Sequence, residues 1–267
     1  MTLTHQLRAA DITLGYGERT IAKDLSVRIT PGAITSIVGP NGCGKSTLLR
    51  ALSRLLAPQS GQVLLDEKPL ASYPAKQLAR TLGLLPQNPL APDGIAVADL
   101  VGRGRTPHQG LFGRWSKQDY EIVNESLAAT GILDLAERSI DELSGGQRQR
   151  VWIAMALAQR TDILLLDEPT TFLDVANQLE VLDLLTEINA ERGTTIVMVL
   201  HDLNLAARYS QQLIAMVSGS IYATGAPAEV ITTAAVKDVF GIESHIMPDP
   251  VSGAPMVMPK GRHHVNP

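Results

Sequence analysis

The stretch Gly39-Pro40-Asn41-Gly42-Cys43-Gly44-Lys45-Ser46 fits the spacing G-x-x-x-x-G-K-[ST]. Before it, Ala33 to Val38 is apolar and β-branched and predicts a buried strand. After it, Lys45 to Leu56 predicts a helix that Pro58 ends. A glycine-rich loop in that setting lets backbone N–H groups curl around phosphate oxygens. The helix that follows points the positive end of its dipole at the same anion. In this motif Lys45 reaches the β- and γ-phosphates of a nucleotide and Ser46 binds Mg²⁺.

Upstream, Leu25, Val27 and Ile29 alternate with Ser26, Arg28 and Thr30. That period of two predicts antiparallel strands over 7–30 with one wet face. Downstream, 62–65 and 82–85 are short strand candidates, and the Pro- and Gly-rich stretch 88–115 matches no single element. Ser116 with Asp119 forms a capping-box pattern that predicts a helix to about Ala129, ended by Gly131. A second helix is predicted from Ser144 to about Gln159, a strand over Ile163 to Leu166, and a third helix over Val175 to Arg192 closed by Gly193. Its apolar stripe reads Val175, Leu179, Leu182, Leu185, Ile188. Thr195 to Leu200 predicts another buried strand, Asp202 a cap for a helix through Tyr209, and 213–217 with 221–223 a hairpin joined by Ser218-Gly219-Ser220. Buried strands alternating with helices predict an α/β core with a parallel sheet, interrupted by a mostly helical insertion. Gly261 to Pro267 reads as a loose tail.

Three further motifs carry chemistry. Ile163-Leu164-Leu165-Leu166-Asp167-Glu168-Pro169 is a buried strand ending in carboxylates. Asp167 is placed to hold a Mg²⁺ shell and Glu168 to orient or deprotonate an attacking water. Leu143-Ser144-Gly145-Gly146-Gln147 puts two glycines where a helix starts, which makes a second anion site alongside a capping role for Ser144. One γ-phosphate does not fill two distant cradles of one fold, so the economical arrangement is a head-to-tail dimer with ATP between the first loop of one chain and this loop of the other. Cys43 supplies mainly backbone to its loop, and its thiol is a candidate for alkylation that ATP would block. Trp115 and Trp152 fit the helical block as packing residues.

With these motifs in order along nearly the whole chain, the sequence resembles the ATP-binding-cassette (ABC) ATPases. The resemblance implies a P-loop NTPase core of ABC type (7–87 and 161–240), with an N-terminal antiparallel β-subdomain, an inserted α-helical subdomain (88–160) and a C-terminal extension (241–267). It implies that Tyr16 stacks on adenine, against the alternative of a strand-edge tyrosine. It makes Gln87 the residue that touches Mg²⁺ and water and links core to insertion, against a solvated loop amide. It assigns His201 to the γ-phosphate, against a structural histidine, and Asp174 to the dimer interface, against a simple cap of the helix beginning at Val175. The implied nucleotide-binding set is Tyr16, Gly39, Asn41, Gly42, Cys43, Gly44, Lys45, Ser46 and Thr47, with Ser144, Gly145, Gly146, Gln147 and Asp174. The implied catalytic set is Glu168, His201, Gln87 and Lys45, and the implied metal set Ser46, Gln87 and Asp167. The other five histidines, His263 and His264 among them, fit surface positions.

Within that family, the run Val97 to Phe112, with its Arg105-Thr106-Pro107-His108-Gln109 element, resembles the bacterial ferric-siderophore, haem and cobalamin importer ATPases, where this region faces the transmembrane subunits. Asp249-Pro250-Val251-Ser252-Gly253-Ala254-Pro255 most resembles the ferric-enterobactin type. The resemblance implies a homodimer of ATPase subunits bound to integral-membrane permease subunits and served by a periplasmic or lipoprotein substrate-binding protein. It implies a place on the cytoplasmic face of the inner membrane. The alternatives are a cobalamin or haem importer, or a soluble ABC ATPase of iron–sulfur cluster assembly.

Composition agrees and excludes other classes. The 267 residues are 45% hydrophobic and 19% charged, outside the range of a disordered chain. A net charge of -4 and a pI near 5.9 give no basic footprint, so no nucleic acid is expected. The single cysteine excludes an intrachain disulfide. The sequence from Met1 to Gly17 lacks the pattern of a secretory signal, and no apolar run approaches the roughly 18 residues of a membrane span.

Overall fold

A computed structural model describes residues 5–110, 114–171 and 173–261. Leu111, Phe112, Phe172, the two tail histidines and the rest of the expected loose tail beyond Gly261 lie outside the described residues. The chain divides into two compact units. One holds His5 and Ala71–Ile196, and the other holds Gln6–Leu70 with the chain from Val197 onward.

From Gln6 the chain lays down β1 (Leu7–Tyr16) and β2 (Arg19–Arg28), paired antiparallel as the alternation predicts. Leu25, Val27 and Ile29 are buried while Ser26, Arg28 and Thr30 are exposed. β3 (Ile34–Val38) is buried along its whole length and α1 (Lys45–Leu52) follows the glycine-rich loop. This helix ends four residues earlier than the sequence predicts. Arg54 takes a left-handed φ of 65°, and the N–H groups of Arg54 and Leu55 return to the carbonyls of Ala51 and Arg50 at 3.1 and 2.9 Å. That is a Schellman closure, here built on an arginine in place of glycine. β4 (Ser60–Leu65) and β5 (Lys68–Pro69) complete a sheet of order β2-β1-β4-β5.

The second stretch carries α2 (Ala75–Thr81), β6 (Leu82–Leu85), α3 (Val97–Gly102), α4 (Lys117–Ala129), α5 (Gly145–Ala158), β7 (Ile163–Asp167) and α6 (Val175–Arg192). β8 (Thr195–Val199) begins in this unit and ends in the other. β6 and β7 pair in parallel, Leu85 opposite Leu166. Helices α3, α4 and α5 pack on one another. Their glycines explain why 88–115 resists a reading from sequence. A Cβ on Gly102 would meet the Trp115 ring at 2.0 Å, and one on Gly104 would meet the Met155 carbonyl oxygen at 2.3 Å. These glycines are packing residues inside helical turns.

α4 starts with the predicted capping box. Asp119 N–H donates to Ser116 Oγ, and Ser116 N–H donates to Asp119 Oδ2. Asp119 also meets Arg105 at 2.9 Å in a buried pair, and Arg105 donates to Ala158 O at 2.8 Å. Burial pushes the Asp119 carboxyl up, but bonds from Ser116 and Arg105 outweigh it and hold the group at about 2. A depressed folded value contributes stability above the unfolded carboxyl range of about 3.9, lost as pH falls towards 2. Removing the cation strands a buried charge. Arg105→Ala is expected to lose about 3–5 kcal/mol in urea unfolding at pH 7, less as the pH is lowered and Asp119 protonates.

α6 departs from its predicted stripe. Leu182, Leu185 and Ile188 are buried, joined by Val181, while Val175 in the first turn is 73% exposed. Gly193 closes the helix at φ 68°.

The last stretch holds α7 (Leu203–Tyr209), β9 (Gln212–Val217), β10 (Ser220–Gly225), α8 (Pro227–Val230), α9 (Thr233–Phe240), β11 (Ser244–Pro248) and β12 (Pro255–Pro259). β9 runs parallel to β3 and antiparallel to β10, so the sheet is mixed and the fold α/β. The β9–β10 turn has two central residues where sequence reading suggested three. Ser218 and Gly219 take φ of 48° and 79°, the left-handed pair that matches strand twist. No helix among the described residues is long and apolar enough to cross a membrane.

Candidate functional site

The phosphate-loop motif leaves the end of β3, whose Val38 pairs with Ala215 of β9. The loop curls through three glycines of positive φ, Gly39 at 153°, Gly42 at 76° and Gly44 at 107°. A Cβ on Gly39 would sit 2.2 Å from Met216 O and 2.9 Å from Cys43 Sγ, so only glycine fits. Gly44 is the N-cap of α1 and offers no side chain to cap its first turn, and a helix start of that kind can receive an anion. Lys45 is only 5% exposed and donates from Nζ to Gly39 O at 2.9 Å and to Pro40 O at 3.0 Å. Its ammonium is thereby tied to the backbone at the start of the loop. Ser46 is half-buried and Thr47 buried in the first turn of α1, while Asn41 and Gly42 are exposed on the rim.

Tyr16 ends β1, is 46% exposed, and accepts a hydrogen bond from Arg50 of α1 at 3.2 Å. That bond fixes an open aromatic ring beside the helix that begins at the loop. His201 follows β8 in the same unit. Leu200 N–H donates to Ile37 O of β3 at 3.3 Å, and Asp202 Oδ1 caps α7 through the N–H groups of Asn204 and Leu205.

Sequence reading missed how the loop is braced. Gly219 N–H donates to Cys43 O at 3.0 Å, and a Cβ on Gly219 would lie 2.0 Å from Ile21 O of β2. The β9–β10 turn is therefore wedged between β2 and the phosphate loop. The available signal was a glycine at a hairpin turn, which does not say what the turn leans on. Cys43 itself is 4% exposed, and burial pushes its thiol up against the opposing pull of Lys45. Thiolate is the reactive form, so the alkylation expected of Cys43 is disfavoured in the folded chain.

The other unit gathers the carboxylates. β6 and β7 are parallel neighbours, so Gln87, two residues past β6, and Asp167 with Glu168, at the end of β7, leave the sheet at the same edge. Ends of parallel strands are where open α/β sheets place their chemistry. Asp167 is 3% exposed. Glu168 adopts φ 57°, a left-handed conformation strained for a residue with Cβ, and accepts from Thr171 Oγ1 at 3.0 Å.

Ser144 caps α5 in the predicted manner. Gln147 N–H donates to Ser144 Oγ at 3.3 Å and Ser144 N–H to Gln147 Oε1 at 3.0 Å. The capping box takes the third N–H of the helix and makes no use of those of Gly145 and Gly146 before it. A Cβ on Gly145 would meet nothing within 4 Å, so the first turn is open for close approach. Gln149 Nε2 ties α5 to Pro169 O at 2.8 Å, next to Glu168. Asp174 does cap α6, accepting from Asn177 N–H at 2.9 Å, and that bond holds its carboxyl below the usual range. It remains exposed. His108 is one histidine that departs from the surface expectation. It is half-buried, bonded to Gln159 O at 2.8 Å, and burial pushes its ring down.

Residues 22–171 match the ABC transporter family. The ferric enterobactin transport ATP-binding protein FepC of Escherichia coli is 54% identical over 257 residues, covering 96% of this chain and 95% of its own. A metal-chelate-type ABC transporter in an inward-facing conformation superposes with a TM-score of 0.82 at 27% identity, covering 97% of this chain and 98% of that one. A dimeric ATP-binding cassette in a post-hydrolysis state with ADP and Pi superposes at 0.74 with 28% identity, covering 82% and 98%. With a family match over residues 22–171 and 54% identity to a transport ATPase across nearly the whole chain, the chain belongs to the ABC transporter family as an ATP-binding ATPase subunit.

Proposed function

We propose that this chain is the ATP-hydrolysing subunit of an importer that takes up a ferric siderophore. The observation that carries the reading is the 54% identity to a ferric enterobactin transport ATPase across 96% of the chain, which includes the C-terminal segment beyond the family core. The fold neighbour of metal-chelate type supports the same substrate class.

In this reading Tyr16 stacks on adenine, the N–H groups of Gly39 and of Asn41 to Thr47 hold the phosphates, and Lys45 reaches the β- and γ-phosphates. A water attacks the γ-phosphorus in line. The bond from that phosphorus to its bridging oxygen breaks and leaves ADP and phosphate. Glu168 orients the water and receives its proton, His201 contacts the γ-phosphate, and Gln87 aligns the water. One hydroxyl, Ser46, and one carboxylate, Asp167, suit Mg²⁺, which keeps several waters and takes its other oxygens from phosphate. Bound there, Mg²⁺ would offset the phosphate charge.

Two copies act head to tail, with Ser144, Gly145, Gly146, Gln147 and Asp174 of one copy facing the nucleotide of the other. The dimeric state of the ADP-bound relative supports this. ATP closes the dimer, and product release reopens it. The helical insertion passes the motion to permease subunits on the cytoplasmic face of the membrane, with a substrate-binding protein delivering the chelate. Cells lacking this gene are expected to lose uptake of radio-iron supplied as one siderophore. Wild type is expected to restore uptake and Lys45→Ala to fail. Unchanged uptake of every siderophore tested would sink the iron assignment while leaving the ATPase in place.

A further inference from the structure

His201 stands between two fixed points, and the second depends on the C-terminal hairpin. On one side Leu200 is bonded to β3. On the other is α7, whose seven residues bury only Ala206 and Ala207. A helix that short is not stable by itself, so its position must be set by what it touches. Two of its side chains, four residues apart and so on one face, reach the hairpin of β11 and β12. Asn204 Oδ1 accepts from Val257 N–H at 2.7 Å and Asn204 Nδ2 donates to Val257 O at 3.3 Å. Arg208 donates from Nε at 3.0 Å and from Nη2 at 2.6 Å to Asp249 Oδ2.

Asp249 is equally committed on its own side. It accepts from Ser252 Oγ at 2.6 Å and from Val251 N–H at 3.1 Å, and its backbone bonds to Ala254 and Gly253 close the β11–β12 loop. A lone two-stranded hairpin is marginal in water. Helix and hairpin therefore hold each other, and the contact carries two clamps one helical turn apart.

We propose that Asn204, Arg208 and Asp249 form a latch through which the C-terminal hairpin positions His201 for ATP hydrolysis. They are positioning residues acting through α7, and the hairpin is a working part of the ATPase. The proposal rests on the assignment of His201 to the γ-phosphate. A misplacement of about 1 Å in a positioned group is enough to cost up to about 100-fold in rate.

The test uses the full chain. Arg208→Gln is expected to lower the kcat of ATP turnover about 10-fold with KM for ATP unchanged within about twofold. In a His201→Ala background the same change is expected to add no further loss. In protein labelled with ¹³C-histidine, the His201 ring resonance, identified by its disappearance in His201→Ala, is expected to shift in Arg208→Gln. Asn204→Ala breaks the other clamp and carries the same expectations should Arg208→Gln fail to fold. An unchanged kcat, a loss that multiplies in the His201→Ala background, or an unmoved His201 resonance would each overturn the latch. Wild-type turnover by His201→Ala would instead sink the role of His201, and the resonance would still report whether the latch places that ring.

Discussion

Glu168→Gln is expected to bind ATP as tightly as wild type and to turn it over about 1000-fold more slowly, in the range lost with a general base. The substitution removes one proton acceptor and little else. Gln has the same length, and its amide oxygen still accepts from Thr171 Oγ1, which lies 3.0 Å from the carboxylate. The left-handed backbone at Glu168, φ 57°, is equally strained with either side chain, so no strain is relieved that would move the β7 end. With hydrolysis blocked and binding intact, the nucleotide should hold the closed dimer. Size-exclusion chromatography of Glu168→Gln with saturating ATP is expected to show a dimer that wild type forms only transiently. Nucleotide affinity within about twofold of wild type, with phosphate release near background, is the expected pair of measurements. Full turnover would remove Glu168 from the role of base and move the search to another group at the same strand edge.

The strand–loop–helix at 33–52 was legible because each part has a local cause. An apolar β-branched run, glycines where φ turns positive and a helix start follow one another without a long-range contact. The same holds for the capped helices α4, α5 and α6, whose Ser116, Ser144 and Asp174 caps are four-residue patterns. What was illegible depends on distant partners. Gly102 and Gly104 look like loop residues, but they are small because Trp115 and the Met155 carbonyl crowd them. α2 and α9 are only two turns long, too short for a decisive stripe. β11 ends and β12 both begins and ends in proline, a composition that argues against a strand unless the strand lies at an edge, as both do in a two-stranded hairpin. Val175 satisfied the periodicity of α6 yet lies exposed beside Asp174. Periodicity marks a face without saying whether the chain itself covers it.

The brace beneath the phosphate loop yields the second large effect. Gly219→Ala is expected to destabilise the chain by about 3 kcal/mol or more and to weaken ATP binding about tenfold. Two costs combine. At φ 79° a Cβ carries about 1–2 kcal/mol of left-handed strain. That Cβ would also lie 2.0 Å from Ile21 O and 3.0 Å from Ile21 C, and overpacking costs about 1–3 kcal/mol. Ile21 is poorly able to retreat, because its neighbour Ala22 is paired with Leu14 in the β1–β2 ladder. The hairpin turn must move instead, and Gly219 N–H, bonded to Cys43 O at 3.0 Å, draws on the glycine-rich loop proposed to hold the phosphates. Gly193→Ala separates the two costs. Gly193 has a similar φ of 68° and nothing within 4 Å of its would-be Cβ, so only the strain of about 1–2 kcal/mol is expected, with ATP affinity unchanged. Urea unfolding of both variants, with calorimetric titration of a non-hydrolysable ATP analogue, makes the comparison. If Gly219→Ala lost no more stability than Gly193→Ala and bound the analogue as wild type does, the turn would not be bracing the loop. A larger loss of stability together with weaker binding would show that the phosphate cradle extends, through one backbone hydrogen bond, to a hairpin more than 170 residues further along the chain.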